Sequence, residues 1–480
     1  FVFAYCMPLF KVCITRASAQ TYSSCNADGI MRAAEHHARF AAAYVFFMLA
    51  CILLWRKLGV CILGRTRMKR VQITEYVCLY VVFLWLLIDA FRRAAPRILE
   101  MKSMNAQALE ERFRPVITSS TLNATQLLND VSLQPYPWLR WASVFAVVPV
   151  LITWLVCVWD TVRHVRVMWW NAHVSYNAKK WHDRAIQIVA LPAAFALMAF
   201  SAVTRVWDMM CNSFSDDIAR LDSWEDRKRV ASKFYAAHYE IADLYEAWAL
   251  FHFGKLALEV VSKKFLKMVD AASREDTPRK GSLANLAAGI HESVQKLTMQ
   301  GIWSFVLVCF AQSVYGVGSP VLLLFLQQLD MDKDKRIAYA LQAMETGEET
   351  IHHVFIGMGL VASTAAIGNI VQVERALHHE LQEFRPFWKF WGTKILVSFA
   401  FMQKILVRLP IPPFSDMSEL HKNLFYSTVL CYECLFVSLL HMYAWPGESW
   451  YDESAQMKIE MAAQLPIGSA YAEMLSGDER

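Results

Sequence analysis

The chain has 480 residues, 56% of them apolar and 19% charged, with a net charge of +5. Soluble domains usually carry about a quarter charged residues, so this balance points to a membrane protein. It excludes collagen-like and disordered classes, and the small, dispersed charge offers no basic face for nucleic acid.

Spans are placed where about 17 to 25 residues stay apolar with charges only at the ends. Phe1–Ile14 is apolar but too short to cross a bilayer comfortably. Ala17-Ser18-Ala19 after it has the form of a signal-peptidase site. The plainer reading, a luminal or interfacial segment, is preferred. Two spans follow, at about Phe40–Trp55 and Tyr76–Phe91. Seven more lie at about Trp138–Trp159, Ile186–Trp207, Ile241–Val261, Ile302–Leu326, Ile351–Val373, Phe390–Leu409 and Leu424–Trp445. Spanning segments must be helical, because a lipid-exposed strand leaves backbone groups unsatisfied. The expected fold is therefore all-α: a polytopic transmembrane bundle with a seven-helix core plus two N-terminal spans. Three regions follow: 1–137, an N-terminal extension with two spans and an external loop; 138–445, the core; and 446–480, a polar cytoplasmic tail.

Charge sets the orientation. Arg65, Arg67, Lys69 and Arg70 crowd the first loop; Arg163, Arg166, Lys179, Lys180 and Arg184 the loop after the third span; Lys263, Lys264 and Lys267 the one after the fifth. By the positive-inside rule these are cytoplasmic. The sequon Asn123-Ala124-Thr125 then falls outside, making Asn123 a glycosylation candidate.

Cys51, Cys78, Cys157 and Cys309 lie inside apolar runs and pack as small hydrophobes. The spacing permits a Cys25–Cys211 disulfide. Cys431-Tyr432-Glu433-Cys434 has zinc-like spacing, but it sits inside a span without a second ligand pair, so helix packing is the better reading and no metal site is assigned. The adjacent pairs His352-His353 and His378-His379 point their rings in different directions and read as interfacial histidines. There is no Walker A loop, dinucleotide fingerprint or nucleophile elbow. The chain reads as a protein that is not an enzyme, needs no cofactor and does not run on ATP.

Ionisable groups within spans are more informative, because each costs about 2.5 to 3.5 kcal/mol at the bilayer centre. Glu246, Lys255 and Glu259 share one span, Lys394, Gln403 and Lys404 another, and Glu433 sits in the last. Snorkelling suits Lys404, and Lys255–Glu259 has the spacing of a local pair. Lys394 and Glu433, both at mid-span, are expected to approach each other. Pro192 and Gly316-Val317-Gly318-Ser319-Pro320 interrupt two spans, either to line a substrate site or for packing alone.

From Trp138 to about Tyr451 the pattern resembles the organic solute transporter alpha-subunit family, which includes the transmembrane-protein-184 proteins. The best carriers are His378-His379-Glu380-Leu381-Gln382-Glu383-Phe384-Arg385-Pro386-Phe387-Trp388-Lys389-Phe390, continuing to Lys394, Ser398-Phe399 and Gln403. Asp243-Leu244-Tyr245-Glu246-Ala247, Ala190-Leu191-Pro192 and Cys431-Tyr432-Glu433 support them. The resemblance implies a seven-helix core that moves sterol-like or other amphipathic organic anions, often beside a single-span beta-type subunit. Two departures are visible: 262–300 contains no cysteine where the family often has a cysteine-rich patch, and Gly357 or Met358 stands where the family has asparagine.

Two functions follow from these residues. In a lipid-binding, multi-pass carrier, Glu246, Lys394, Gln403 and Glu433 line or support a polar path, with Tyr245, Trp248 and Phe399 against the apolar body of the solute. In a non-transporting scaffold or accessory subunit of a larger membrane complex, the same charges form fixed buried pairs. Membrane lipids are the expected partners in both.

Overall fold

The computed structural model describes residues 75–119, 124–170, 176–214, 224–274 and 405–446, together with single helical positions between 304 and 403. The expected first span, Asn123, Lys394 and Cys25 lie outside the described residues.

Helix α1 covers 75–103 and contains the second expected span. Its sequence divides cleanly at helical spacing. Tyr76, Phe83, Leu87, Ala90, Ala94 and Met101 are buried, whereas Val77, Val81, Leu84, Trp85 and Ile88 are exposed large apolar side chains. An apolar stripe open over several turns is what a lipid-facing surface looks like. Helix α2 (Ala106–Ser119) is capped by Asn105, whose Oδ1 accepts from Ala108 N at 2.8 Å. Helix α3 (Ala124–Val131) buries Leu127 and Val131.

Prolines set the next joints. Helix α4 (Pro137–Phe145) gives way at Ala146 to α5 (Val147–Trp170). Pro149 has no N–H for the carbonyl of Phe145, so the ladder cannot run through. Helix α6 (Tyr176–Val189) breaks at Ala190 into α7 (Leu191–Met210) for the same reason at Pro192. Pro192 therefore marks a helix joint inside one apolar stretch, Lys179–Met210. After α7, Asn212 takes a positive φ of 48°, a left-handed conformation that asparagine tolerates and that turns the chain.

Helix α8 (Trp224–Arg274) runs for 51 residues, about 76 Å at 1.5 Å per residue. That is far longer than the expected span Ile241–Val261 and than a hydrocarbon core of about 30 Å. Hydropathy marks only the apolar middle, and the charged ends continue the same helix. Helix α9 (Glu419–Ala444) is capped by Ser418, whose Oγ accepts from His421 N and donates to Asp130 O at 2.8 Å, joining the helix start to the end of α3.

Among the described residues, three helical stretches are long and apolar enough to cross a membrane: Pro137–Met168, Lys179–Met210 and Glu419–Ala444. Among the described residues there is no strand. The buried share of their most apolar windows ranks them: 94% for Lys179–Met210, against 50% and 39% for the other two. α7 is thus the inner helix, packed against α5, α8 and α9. Its many small residues, Ala193, Ala194, Ala196, Ala199 and Ala202, let neighbours approach closely. Lipid tails are as apolar as leucine, so close packing and interhelical hydrogen bonds must hold such helices together. Trp207 Nε1 donates to Ser143 Oγ at 3.3 Å, and Phe200 packs on Phe91 and Trp207. α5 turns Val148, Leu151, Ile152, Leu155, Trp159 and Val162 outward, a stripe like that of α1.

Candidate functional site

Polar side chains gather at the two ends of this bundle and at one point in its middle. At the α7 C-terminus, Arg97 Nε donates to Asp208 Oδ1 at 2.6 Å, Arg97 Nη1 to Glu100 Oε2 at 2.9 Å and Arg97 Nη2 to Ser213 O at 2.6 Å. Arg112 and the Ser213 hydroxyl complete the shell of Glu100. Burial works against the Glu100 charge, but the hydrogen bonds from Arg112 and Arg97 outweigh it and hold the carboxyl below its ordinary range. Cys211 is buried beside this network with its Sγ 3.6 Å from Met101 Sδ, and burial pushes its thiol up to about 12. A thiol so placed is unreactive.

At the opposite end, α5 runs on to Trp170 and α6 starts at Tyr176, so Arg163, Arg166, Lys179, Lys180 and Arg184 are helical rather than in a loop. Between these extensions His164 Nδ1 and His182 Nδ1 meet at 2.8 Å, both rings wholly buried. The Tyr76 hydroxyl donates to Asp183, and Tyr80 Oη lies 2.6 Å from Thr161 Oγ1. Glu259 of α8 accepts from Lys180 Nζ and Arg184 Nη2, each at 2.5 Å. Glu259 is therefore bound across to α6, while Lys255 Nζ lies 4.2 Å from the Phe251 ring centre. Lys389, 2% exposed, sits over the Trp445 ring at 5.4 Å.

The residues expected to line a path fall into two groups. Tyr245 and Trp248, three apart on one face of α8, both donate to Gln187 of α6: Tyr245 Oη to the main-chain oxygen and Trp248 Nε1 to Oε1, each at 3.2 Å. Glu246 beside them is buried. In the second group, Gln403 Nε2 donates to Glu433 Oε1 between the 388–406 stretch and α9, and Phe399, one turn before Gln403, is exposed. Lys394, the expected partner of Glu433, lies outside the described residues.

His164, His182 and Asp183 were not among the expected site residues. One signal was present: Asp160 and His164 are four apart, on one helical face, directly after an apolar run. Among the described residues no cluster of three or more His, Cys, Asp or Glu could hold a metal ion.

Residues 231–450 match the family model described as Organic solute transporter Ostalpha. No curated protein and no solved structure matches the chain. The matched stretch contains most of α8, the 388–406 stretch and all of α9, and with them both groups of expected path residues. The resemblance read from Trp138 onward is thus matched from residue 231. Together with three helices apolar enough to cross a membrane among the described residues, this makes the chain a membrane protein whose residues 231–450 match the organic solute transporter alpha family model.

Proposed function

We propose that the chain is a carrier that facilitates the movement of amphipathic organic solutes, sterol- or lipid-like anions above all, without hydrolysing ATP. The observation that carries this reading is the family match over 231–450, since the family is one of organic solute transporters. The exposed apolar stripes support it, because a solute entering from the bilayer keeps its apolar body against side chains that need little dehydration. Its charged end would go to Lys394 or to Arg385 and Lys389. Phe399, Gln403 and Glu433 would border the path, with Tyr245, Glu246 and Trp248 supporting it from α8. The full architecture in this reading is a seven-helix core at 138–445, preceded by two spans and followed by a polar cytoplasmic tail. It works in a plasma membrane or endomembrane, with a single-span beta-type subunit as partner.

One observation favours the scaffold reading instead. Tyr245 and Trp248 are bound to Gln187, and Glu259 to Lys180 and Arg184, as fixed pairs would be. A photoactivatable sterol probe separates the two. A carrier is labelled on the 388–406 stretch and α9, and excess anionic sterol conjugate suppresses the label. Labelling confined to the outward stripes of α1 and α5, unaffected by the conjugate, favours the scaffold.

A further inference from the structure

Glu433 stands near the middle of α9, and the donor that reaches it is a neutral amide. Gln403 Nε2 donates to Glu433 Oε1, which uses one atom of each side chain. The other two, Glu433 Oε2 and Gln403 Oε1, are both buried without a hydrogen-bond partner among the described residues. An ionised carboxylate is acceptor-only, and an amide oxygen is also an acceptor, so with a charged Glu433 both leftover atoms stay unsatisfied. A buried unpaired acceptor is costly, and a buried charge far more so. A protonated carboxyl has one O–H to donate, and Gln403 Oε1 is the acceptor that lacks a donor. One proton on Glu433 Oε2 would supply the donor that Gln403 Oε1 lacks, in a two-bond ring: amide N–H to acid C=O, and acid O–H to amide C=O.

We propose that Glu433 and Gln403 form an internal proton-binding site, with Glu433 held as the neutral acid in a cyclic acid–amide pair. The proton resides on Glu433 Oε2 and is donated to Gln403 Oε1. The ionisable groups around it are consistent with a neutral acid. Tyr426 and Cys434, on the same helix as Glu433, are neutral when protonated and supply no positive charge. Lys394 and Lys404 are near Gln403 in sequence but lie outside the described residues. An ion pair between Lys394 and Glu433 is accordingly the outcome that would defeat the proposal. The inference does not depend on the carrier reading, and its test involves no transport.

The test uses the full chain in lipid nanodiscs at neutral pH. A hydrophobic carbodiimide reacts with a protonated carboxyl in a membrane. The acid O–H proton moves to a carbodiimide nitrogen, the carboxyl oxygen bonds to the central carbon, and rearrangement leaves a stable N-acylurea on the side chain. The expected result is labelling of Glu433, found by peptide mass spectrometry, and an infrared carbonyl band of a neutral acid that disappears in Glu433→Gln. That variant mimics the protonated state, because a second amide closes the same two-bond ring, so it folds and melts like the wild type. Glu433→Ala breaks the ring and lowers the melting temperature. The proposal is overturned if Glu433 stays unlabelled and shows carboxylate bands only. It is equally overturned if Lys394→Met is what makes the label appear.

Discussion

His441 Nε2 donates to the carbonyl oxygen of Gly392 at 2.7 Å, pinning the 388–406 stretch against α9 within the family-matched region. A Cβ added at Gly392 would meet His441 Cδ2 at 3.1 Å and Ala444 Cβ at 3.9 Å. The imidazole cannot swing away without losing its hydrogen bond. Gly392→Ala should therefore destabilise by about 1 kcal/mol, an overpacking cost of about 1 to 3 kcal/mol less the helix-propensity gain of about 1 kcal/mol. Gly392→Leu should prevent folding. Thermal unfolding in detergent checks both, and an alanine variant more stable than wild type would mean that the two helices are not in contact there.

Arg97 connects α1 to the end of α7, with a side chain only 20% exposed. Arg97→Met leaves Asp208 and Glu100 without their shared cation, and removing one partner of such a pair costs about 3 to 5 kcal/mol when fully buried. Partial exposure brings the expected loss to the low end of that range, read as a lower midpoint of unfolding.

The same network makes a pH prediction. Glu100 is held below its ordinary value in the folded chain, so its contribution is present above the unfolded carboxylate value of about 4.3 and is lost as pH falls through the lower folded value. Wild type should lose more stability than Glu100→Gln on acidification from about pH 5 to pH 3. Parallel melting curves for the two proteins would contradict the pairing.

His164 and His182 join α5 to α6 through one N–H···N bond between wholly buried rings. His182→Leu leaves His164 Nδ1 without this partner, at a cost of about 1 to 3 kcal/mol. The double change to leucine should cost less than the sum of the two single changes. Additive losses in a double-mutant cycle would show that the rings do not interact.

The charge pattern gives a topology prediction. Asn123 should carry a glycan when the chain is made in a glycosylating membrane, and Asn123→Gln should remove the mass shift. Cysteines introduced at 65–70 should be labelled only from the opposite side. Labelling of both loops from one face would overturn the nine-span order.

How much was legible in the sequence varies by element. α7 was legible because Leu191–Thr204 carries no charge, its ionisable residues Arg205 and Asp208 coming only at the C-terminal end. α8 was legible only in its middle, because Trp224–Arg274 carries charges at both ends that hydropathy treats as loop. The interhelical bonds were not legible. Tyr245 and Trp248 have the composition of an aromatic binding face, and only the packing of α8 on α6 assigns them to Gln187. Likewise, Glu259 has helical spacing to Lys255, yet the arrival of Lys180 and Arg184 from another helix decides its partners. Pairings between elements depend on how helices are rotated against each other, which periodicity within one helix does not contain. Gln403 and Glu433 were both singled out from the sequence, but their bond to each other was not.

The central claim is transport, and flux tests it most directly. The purified chain is placed in liposomes with a single-span beta-type subunit present, and uptake of a labelled anionic sterol conjugate is followed without ATP. The account predicts uptake several-fold above empty liposomes, with most of that excess lost in Lys394→Ala. Uptake by wild type and Lys394→Ala alike at the leak rate of empty liposomes would contradict it and leave the scaffold reading.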